Sequence, residues 1–150
     1  MANRSPEQDL IDGFISSLSR IEDADYRIQT LINSNCKAKK FADIEYVSHS
    51  GQRWAIEAKS NDSKDAHNSV HKIFGELLKE TGRNEIQERS IGILIPLDAI
   101  AFYSRLFQAI DRDKFIRFGT LIPVKSVFAY GDAELKMMSW PELYDAFKAN

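Results

Sequence analysis

The sequence predicts an α/β fold in which helices flank a mixed central β-sheet. Three observations lead to this prediction: helical spacing of apolar residues near the start, a strand-turn-strand pattern in the first half, and a short apolar run in the second half. The chain has 150 residues, 43% of them hydrophobic and 28% charged, which suits one globular domain with a core of ordinary size. We therefore expect a single domain over residues 1–150.

The first helix is predicted to begin at Pro6. Ser5 is a suitable N-cap, Pro6 is favourable at the first helical position, and Gln8 completes a capping box. Apolar residues then recur at helical spacing: Leu10, Ile11, Phe14, Ile15 and Leu18. The next stretch, residues 21–40, is ambiguous, because Tyr26 to Ile32 fits either a helix or a strand.

The middle of the chain is predicted to form a β-hairpin followed by a helix. Strands are expected at Phe41–Tyr46 and Gln52–Lys59, joined by a turn at Ser48–Gly51. A polar surface loop at residues 60–66 precedes the helix, which Gly82 ends. The apolar face of that helix consists of Val70, Ile73, Phe74, Leu77 and Leu78.

The second half begins with a predicted buried strand. Ile91–Ile95 is a continuous apolar run that ends at Pro96. Asp98 is then a candidate cap for a third helix, which carries Phe102, Leu106, Phe107 and Ile110.

The last predicted elements are a strand and a closing helix. Thr120–Tyr130 is expected to be a strand that Pro123 interrupts. Ser139, Pro141 and Glu142 have the spacing typical of a helix start.

Composition restricts the classes of protein. Cys36 is the single cysteine, so no internal disulfide can form, and no Cys/His cluster indicates structural zinc. No apolar run approaches the roughly 20 residues that span a bilayer, so we expect a cytoplasmic protein without a membrane partner. The formal net charge of −2 argues against nucleic acid, although local basic clusters can coexist with acidic metal ligands. Such clusters occur at residues 37–40 and 112–117, and each also suits a solvated face.

Three charged residues occupy positions where a half-buried hairpin is expected. Glu57 and Lys59 are two residues apart, so their side chains leave the strand on the same face. The opposite face consists of Trp54, Ile56 and Ala58 and suits a core. Asp43 lies on the preceding strand, where hairpin pairing can bring it beside Glu57. Two close carboxylates repel each other, and a divalent cation such as Mg²⁺ relieves that repulsion.

These residues resemble the motif of the PD-(D/E)xK nuclease superfamily, which includes many restriction endonucleases. The resemblance lies in Phe41-Ala42-Asp43 followed by Ala55-Ile56-Glu57-Ala58-Lys59, in the strand-turn-strand setting and in the helix that follows. It covers roughly Ser5 to Gly82. Ala42 replaces the proline of the motif, a departure that touches no catalytic group.

The resemblance implies a role for each matching residue. Asp43 and Glu57 would bind the metal, together with the backbone carbonyl of Ala58. Lys59 would orient or activate the attacking water. The first helix of the superfamily often supplies another acidic residue, and Glu7 is the matching candidate. Glu7 also lies at helical spacing from the apolar face of the first helix, which directs it toward the core side.

The function implied is a Mg²⁺-dependent endonuclease that hydrolyses DNA, with Mn²⁺ as a substitute cofactor and a homodimer as a possible assembly. The alternative is a non-catalytic member of the same fold that binds nucleic acid or a protein, as an inhibitor or immunity protein does. Without the resemblance, Glu57 and Lys59 are explained by a cross-strand ion pair that faces water.

Two further patterns have an ordinary and a functional interpretation. His67 and His71 are one helical turn apart and could chelate zinc, but no third ligand is apparent and a solvated helix flank explains them. Next to the proposed site, they or Lys72 could instead touch a phosphate. Several aromatic residues in the second half could stack on bases, yet their helical spacing favours a core or a dimer face. These are Phe102, Tyr103, Phe107, Phe115 and Phe118.

Overall fold

A computed structural model describes residues 6–38, 41–59, 73–77, 89–121 and 124–147 of the chain. In this part of the chain, six strands form one sheet and helices cover both of its faces, which confirms the predicted α/β class. The helices are α1 (Pro6–Leu18), α2 (residues 73–77), α3 (Ile100–Phe107), α4 (Arg112–Leu121) and α5 (Trp140–Asp145). The strands are β1 (Ile28–Asn33), β2 (Ile44–Ser48), β3 (Arg53–Ala58), β4 (Ser90–Pro96), β5 (Val124–Gly131) and β6 (Glu134–Met138).

The strands lie in the sheet in the order of the sequence. β1, β2 and β3 pair in antiparallel fashion, β3, β4 and β5 are parallel, and β6 returns antiparallel to β5. A parallel pair needs a crossover connection. The segment with α2 links β3 to β4, while α3 and α4 link β4 to β5. The β2–β3 hairpin therefore lies beside a parallel strand, and the charged face of β3 is the face that α2 covers.

Two clusters of buried residues fill the faces of the sheet. On one face, α1 packs Ile11, Phe14 and Leu18 against Trp54 and Ile56, as the helical spacing and the hairpin alternation predict. On the other face, α2 to α5 pack against the alternate residues of β3, β4 and β5. None of the described helices has both the length and the apolar character needed to cross a bilayer.

The aromatic residues of the second half belong to that second core. Tyr103, Phe107 and Phe115 are fully buried, and Phe115 stacks on Trp140 with 4.2 Å between ring centroids. Phe102 and Phe118 are partly buried against the same cluster. The base-stacking interpretation is therefore wrong for the buried rings, because their faces already contact other side chains.

Several predicted boundaries are wrong for identifiable reasons. The first hairpin strand begins at Ile44 rather than Phe41, since the Ala42 N–H donates to the Glu45 side chain (2.8 Å) instead of a neighbouring strand. The predicted strand over Thr120–Tyr130 begins only at Val124, because Thr120 still belongs to α4.

The start of α3 also differs from the prediction. Asp98 lies in a short 3₁₀ turn (Leu97–Ala99), and α3 starts after Ala99 without a side-chain cap. Ile110 lies beyond the end of that helix at Phe107. Strand β1 (Ile28–Asn33) occupies most of the ambiguous Tyr26–Ile32 stretch and pairs with β2. The predictions for Ser5, Val70, Leu78 and Gly82 fall outside the described residues.

Candidate metal centre

Three carboxylates converge at the end of the β2–β3 hairpin. Asp43 lies directly before β2, Glu57 lies near the end of β3, and Glu76 lies on α2. One carboxylate oxygen from each residue lies within 4.8 Å of the other two. The structure therefore brings together Asp43 and Glu57, which the sequence singled out, and adds a carboxylate that the sequence analysis did not identify.

The hairpin register positions the first two carboxylates. Ile44 pairs with Ile56, so the next position places Asp43 opposite Glu57, and paired positions present their side chains on the same face. Asp43 Oδ2 accepts a hydrogen bond from the Ala58 backbone N–H at 2.9 Å. This bond anchors Asp43 to β3 although it precedes the regular part of β2.

Lys59 supplies positive charge to the same group. Its Nζ donates a hydrogen bond to Glu76 Oε1 at 2.6 Å, and its backbone N–H donates to the Leu94 carbonyl at 2.8 Å. Both Glu57 and Lys59 are only 8% exposed. The ordinary explanation by a cross-strand ion pair in water therefore does not fit, because these groups are buried and Lys59 pairs with Glu76 on a helix.

The carboxylates are difficult to ionise together. Burial, followed by the negative charges of Asp43 and Glu76, raises the pKa of Glu57 to about 10. Burial also raises the pKa of Asp43, although the hydrogen bond from Ala58 opposes that rise. Without a cation, Glu57 therefore carries a proton at neutral pH.

The charge of Lys59 is favoured by its surroundings. Burial alone would lower the pKa of Lys59, but the hydrogen bond and charge of Glu76, with the charges of Glu7 and Asp43, raise it above its ordinary value. Lys59 is thus a fixed ammonium group at neutral pH. In this position it can donate hydrogen bonds but cannot act as a base.

The donor set fits a hard divalent cation. Carboxylate oxygens are the ligands that Mg²⁺ and Mn²⁺ favour. Within the described residues, Glu76 Oε2 is buried and accepts no hydrogen bond from an N–H or hydroxyl group, which leaves the carboxyl proton of Glu57 as the donor within the group. A cation in contact with these oxygens would satisfy Glu76 Oε2 and replace the proton on Glu57. The predicted role of the Ala58 carbonyl stays a prediction.

Glu7 lies near this site without joining the group. It is half-buried in the first turn of α1, whereas Asp9 and Asp12 are exposed, as the helical spacing predicts. Among the described carboxylates, the group within mutual reach is Asp43, Glu57 and Glu76, not Glu7. The charge of Glu7 nevertheless contributes to the raised pKa of Lys59, so Glu7 can influence the site through that ammonium group.

The position of Glu76 in the sequence carries a signal of its own. It lies three residues after Ile73 and next to Leu77, and both of these apolar residues are buried in the core. A carboxylate beside the apolar face of a helix is the same pattern that selected Glu7.

His67, His71 and Lys72 lie outside the described residues, so their roles stay predictions. His49 lies exposed in the hairpin turn.

The late basic cluster is a solvated, ion-paired face. Arg112 contacts Asp145 at 2.7 Å, and Arg117 contacts Asp113 at 2.9 Å one turn earlier on the same helix. Lys114 is exposed. Surface pairs of this kind contribute little to stability and do not indicate a nucleic-acid groove.

Comparison with known proteins does not assign the chain to a family. No protein-family model, no curated protein and no solved structure matches the chain.

Proposed function

We propose that the chain is a metal-dependent nuclease that hydrolyses phosphodiester bonds and acts as a DNA endonuclease. The observation that carries the proposal is the convergence of Asp43, Glu57 and Glu76 beside the buried ammonium group of Lys59. The resemblance to the PD-(D/E)xK superfamily supports it, since three of these four residues stand at the positions of the superfamily motif.

Asp43, Glu57 and Glu76 would hold one Mg²⁺, with Mn²⁺ as a substitute. When bound, the cation would supply Lewis-acid polarisation of the substrate phosphate. Negative charge on the phosphate increases as a nucleophile attacks, so groups that stabilise that charge lower the barrier. The carboxylates themselves provide none of this stabilisation, and their task is to hold the cation.

Lys59 would act directly on the phosphate or on the attacking water. One of its N–H groups bonds to Glu76, and the ammonium group has further donors. These donors can orient the oxygen of a water molecule or offset charge on a phosphate oxygen. Because Lys59 is buried, its charge is less screened by solvent than that of a surface lysine.

Cleavage assays test the proposal. Supercoiled plasmid, linear duplex, single-stranded DNA and RNA are incubated with purified protein in Mg²⁺, in Mn²⁺ or in EDTA. We expect cleavage of DNA with either metal and none in EDTA, and cutting of closed circular plasmid would demonstrate internal cleavage. Lys59→Ala should lose activity, whereas Lys136→Ala, which removes an exposed lysine on β6, should retain it. If none of these substrates is cleaved in a metal-dependent way, the proposal is refuted.

One observation favours a non-catalytic alternative. The Lys59–Glu76 pair and a proton on Glu57 already neutralise most of the charge in the group, so the fold does not require a cation. On this alternative the chain binds nucleic acid or a protein, as an inhibitor does. It would then show no cleavage and no rise in melting temperature with Mg²⁺ or Mn²⁺.

A further inference from the structure

A cleft lies at the other end of β3, away from the three carboxylates. Its volume is about 770 Å³, and its wall includes Gln52, Arg53, Arg89, Ser90 and Lys125. Arg53 and Ser90 begin β3 and β4, and Lys125 is near the start of β5. Because these three strands are parallel, their N-terminal ends lie next to one another at the same end of the sheet. Arg53 and Glu57 are four residues apart on β3, roughly 13 Å, so the two sites are separate.

A buried carboxylate fixes the two guanidinium groups. Glu45 is 1% exposed, and its Oε1 lies 3.2 Å from Arg53 Nη2 and 3.8 Å from Arg89 Nη1. Its other oxygen accepts the Ala42 N–H at 2.8 Å. Glu45 therefore holds both arginines in place at the wall of the cleft. A guanidinium group that is oriented in advance loses less entropy when it binds an anion.

Hydrogen bonds orient Gln52 as a donor on the same wall. Its Oε1 accepts from Lys125 Nζ at 2.6 Å and from Ser90 Oγ at 3.1 Å. The amide oxygen is thus fully engaged, and in the described part of the chain no acceptor receives a bond from Gln52 Nε2. Lys125 is itself placed by Trp54, with Nζ 5.6 Å from the ring centroid. The lining of the cleft therefore contains the Lys125 ammonium group and the Gln52 NH₂ in addition to the two guanidinium groups.

We infer that this cleft binds a phosphate group. Its polar wall presents guanidinium, ammonium and amide donors, and Glu45, the carboxylate that the described residues place against the arginines, is buried. Phosphate offers several acceptor oxygens and pairs with arginine through two parallel hydrogen bonds. The volume lies in the range of small-molecule sites and exceeds one phosphate, so a nucleotide fits the space. The phosphate belongs either to a mononucleotide or to the backbone of a nucleic-acid strand.

Nuclear magnetic resonance titrations in EDTA test this inference without relying on the proposed metal site. Inorganic phosphate, a nucleoside 5′-monophosphate and a single-stranded oligonucleotide are added at constant ionic strength, with chloride as the reference anion. We expect phosphate-containing probes to shift the side-chain amide signals of Gln52 and the guanidinium signals of the two arginines. Tighter binding of the monophosphate would identify a small-molecule site, and tighter binding of the oligonucleotide would identify a strand contact.

Two substitutions, one at the exposed Lys125 and one at the half-buried Gln52, leave both arginines and Glu45 in place. Lys125→Met keeps an apolar stem over Trp54 but removes the charge. Gln52→Glu keeps the acceptor for Lys125 and Ser90 but replaces the donor by a carboxylate oxygen. Each should weaken phosphate binding roughly tenfold or more, because each removes one charge-assisted or oriented donor. Lys136→Met removes an exposed lysine on β6 and should bind as the parent does.

The results that would overturn the inference are specific. They are shifts equal to those caused by chloride, unchanged affinity in both cleft variants, or an equal loss in Lys136→Met. Shifts confined to the residues around Asp43 and Glu57 would overturn it as well. A failure of metal-dependent cleavage would leave these titrations unaffected, so the two proposals are tested separately.

Discussion

Replacing Glu57 by Gln should stabilise the metal-free protein, and the gain should increase with pH. Glu57 is 8% exposed, and its pKa is raised to about 10 from an ordinary value of 4.5 by burial and by the charges of Asp43 and Glu76. In the unfolded chain the group loses its proton above pH 4.5, whereas in the folded protein it keeps the proton to about pH 10. The folded state therefore binds more protons across this window, and the free energy of unfolding falls as pH rises.

The magnitude follows from the linkage between protons and folding. One group that is protonated only in the folded state contributes a slope of at most about 1.4 kcal/mol per pH unit. From pH 5 to pH 8 the parent should thus lose up to about 4 kcal/mol relative to Glu57→Gln. Gln has nearly the same shape as protonated Glu, and its NH₂ can still donate to a neighbouring carboxylate. The variant therefore avoids the titration without opening a cavity.

Urea denaturation in EDTA at pH 5, 6, 7 and 8 measures this difference. The dependence of the unfolding free energy on urea concentration should be the same in both proteins, so that midpoints report stability. Glu134→Gln, at an exposed position on β6, is the matched control and should follow the parent. In saturating Mn²⁺ the ranking should reverse, because a ligand stabilises the state that binds it. Parallel pH curves for parent and Glu57→Gln, or an unchanged ranking in Mn²⁺, would refute the assignment.

Three further substitutions separate the roles of the neighbouring residues. Lys59→Ala should lower metal-dependent cleavage by roughly a hundredfold or more with an unchanged near-ultraviolet circular dichroism spectrum, and undiminished cleavage would remove Lys59 from the chemistry. Glu76→Gln should weaken Mn²⁺ binding roughly tenfold or more by calorimetry, and unaltered affinity would leave Glu76 only its ion pair with Lys59. Glu7→Gln should lower cleavage with a loss of stability below about 1 kcal/mol, while Asp9→Asn on the same helix should leave cleavage unchanged. Full turnover in Glu7→Gln would reduce Glu7 to a favourable charge at the start of α1.

Elements with local determinants were predictable from the sequence. The apolar spacing of α1 depends on its own residues, and Ser139 with Glu142 forms the capping box that starts α5. The hairpin was equally local, since Gly51 adopts φ +90°, a conformation that favours glycine at a turn. Its alternation indicated both the core face and the charged face of β3. These signals also gave the pair formed by Asp43 and Glu57.

Strand β6 and helix α4 lacked strong local signals. The turn before β6 places Asp132 at φ 49° and Ala133 at φ 61°, and alanine gives no indication of a left-handed turn. At α4, Asp111 accepts a hydrogen bond from the Lys114 N–H at 3.2 Å, but the preceding helix ends only a few residues earlier. The extent of both elements depends on how they pack in the sheet and the second core, which no short window of sequence contains.

The charged face of β2 and β3 is difficult to explain by stability alone. Glu45, Glu57 and Lys59 are buried on this face, whereas the opposite face of the same hairpin is apolar and includes Trp54 and Ile56. Buried ion pairs are often no more stabilising than apolar residues of similar volume, and a carboxylate that must keep its proton costs further free energy. Glu45 offsets its cost by holding arginines, and Lys59 offsets part of the charge of Glu76. Glu57 has no basic partner among the described residues and keeps a proton instead, so its retention at this position is the cost that the proposed cation would offset.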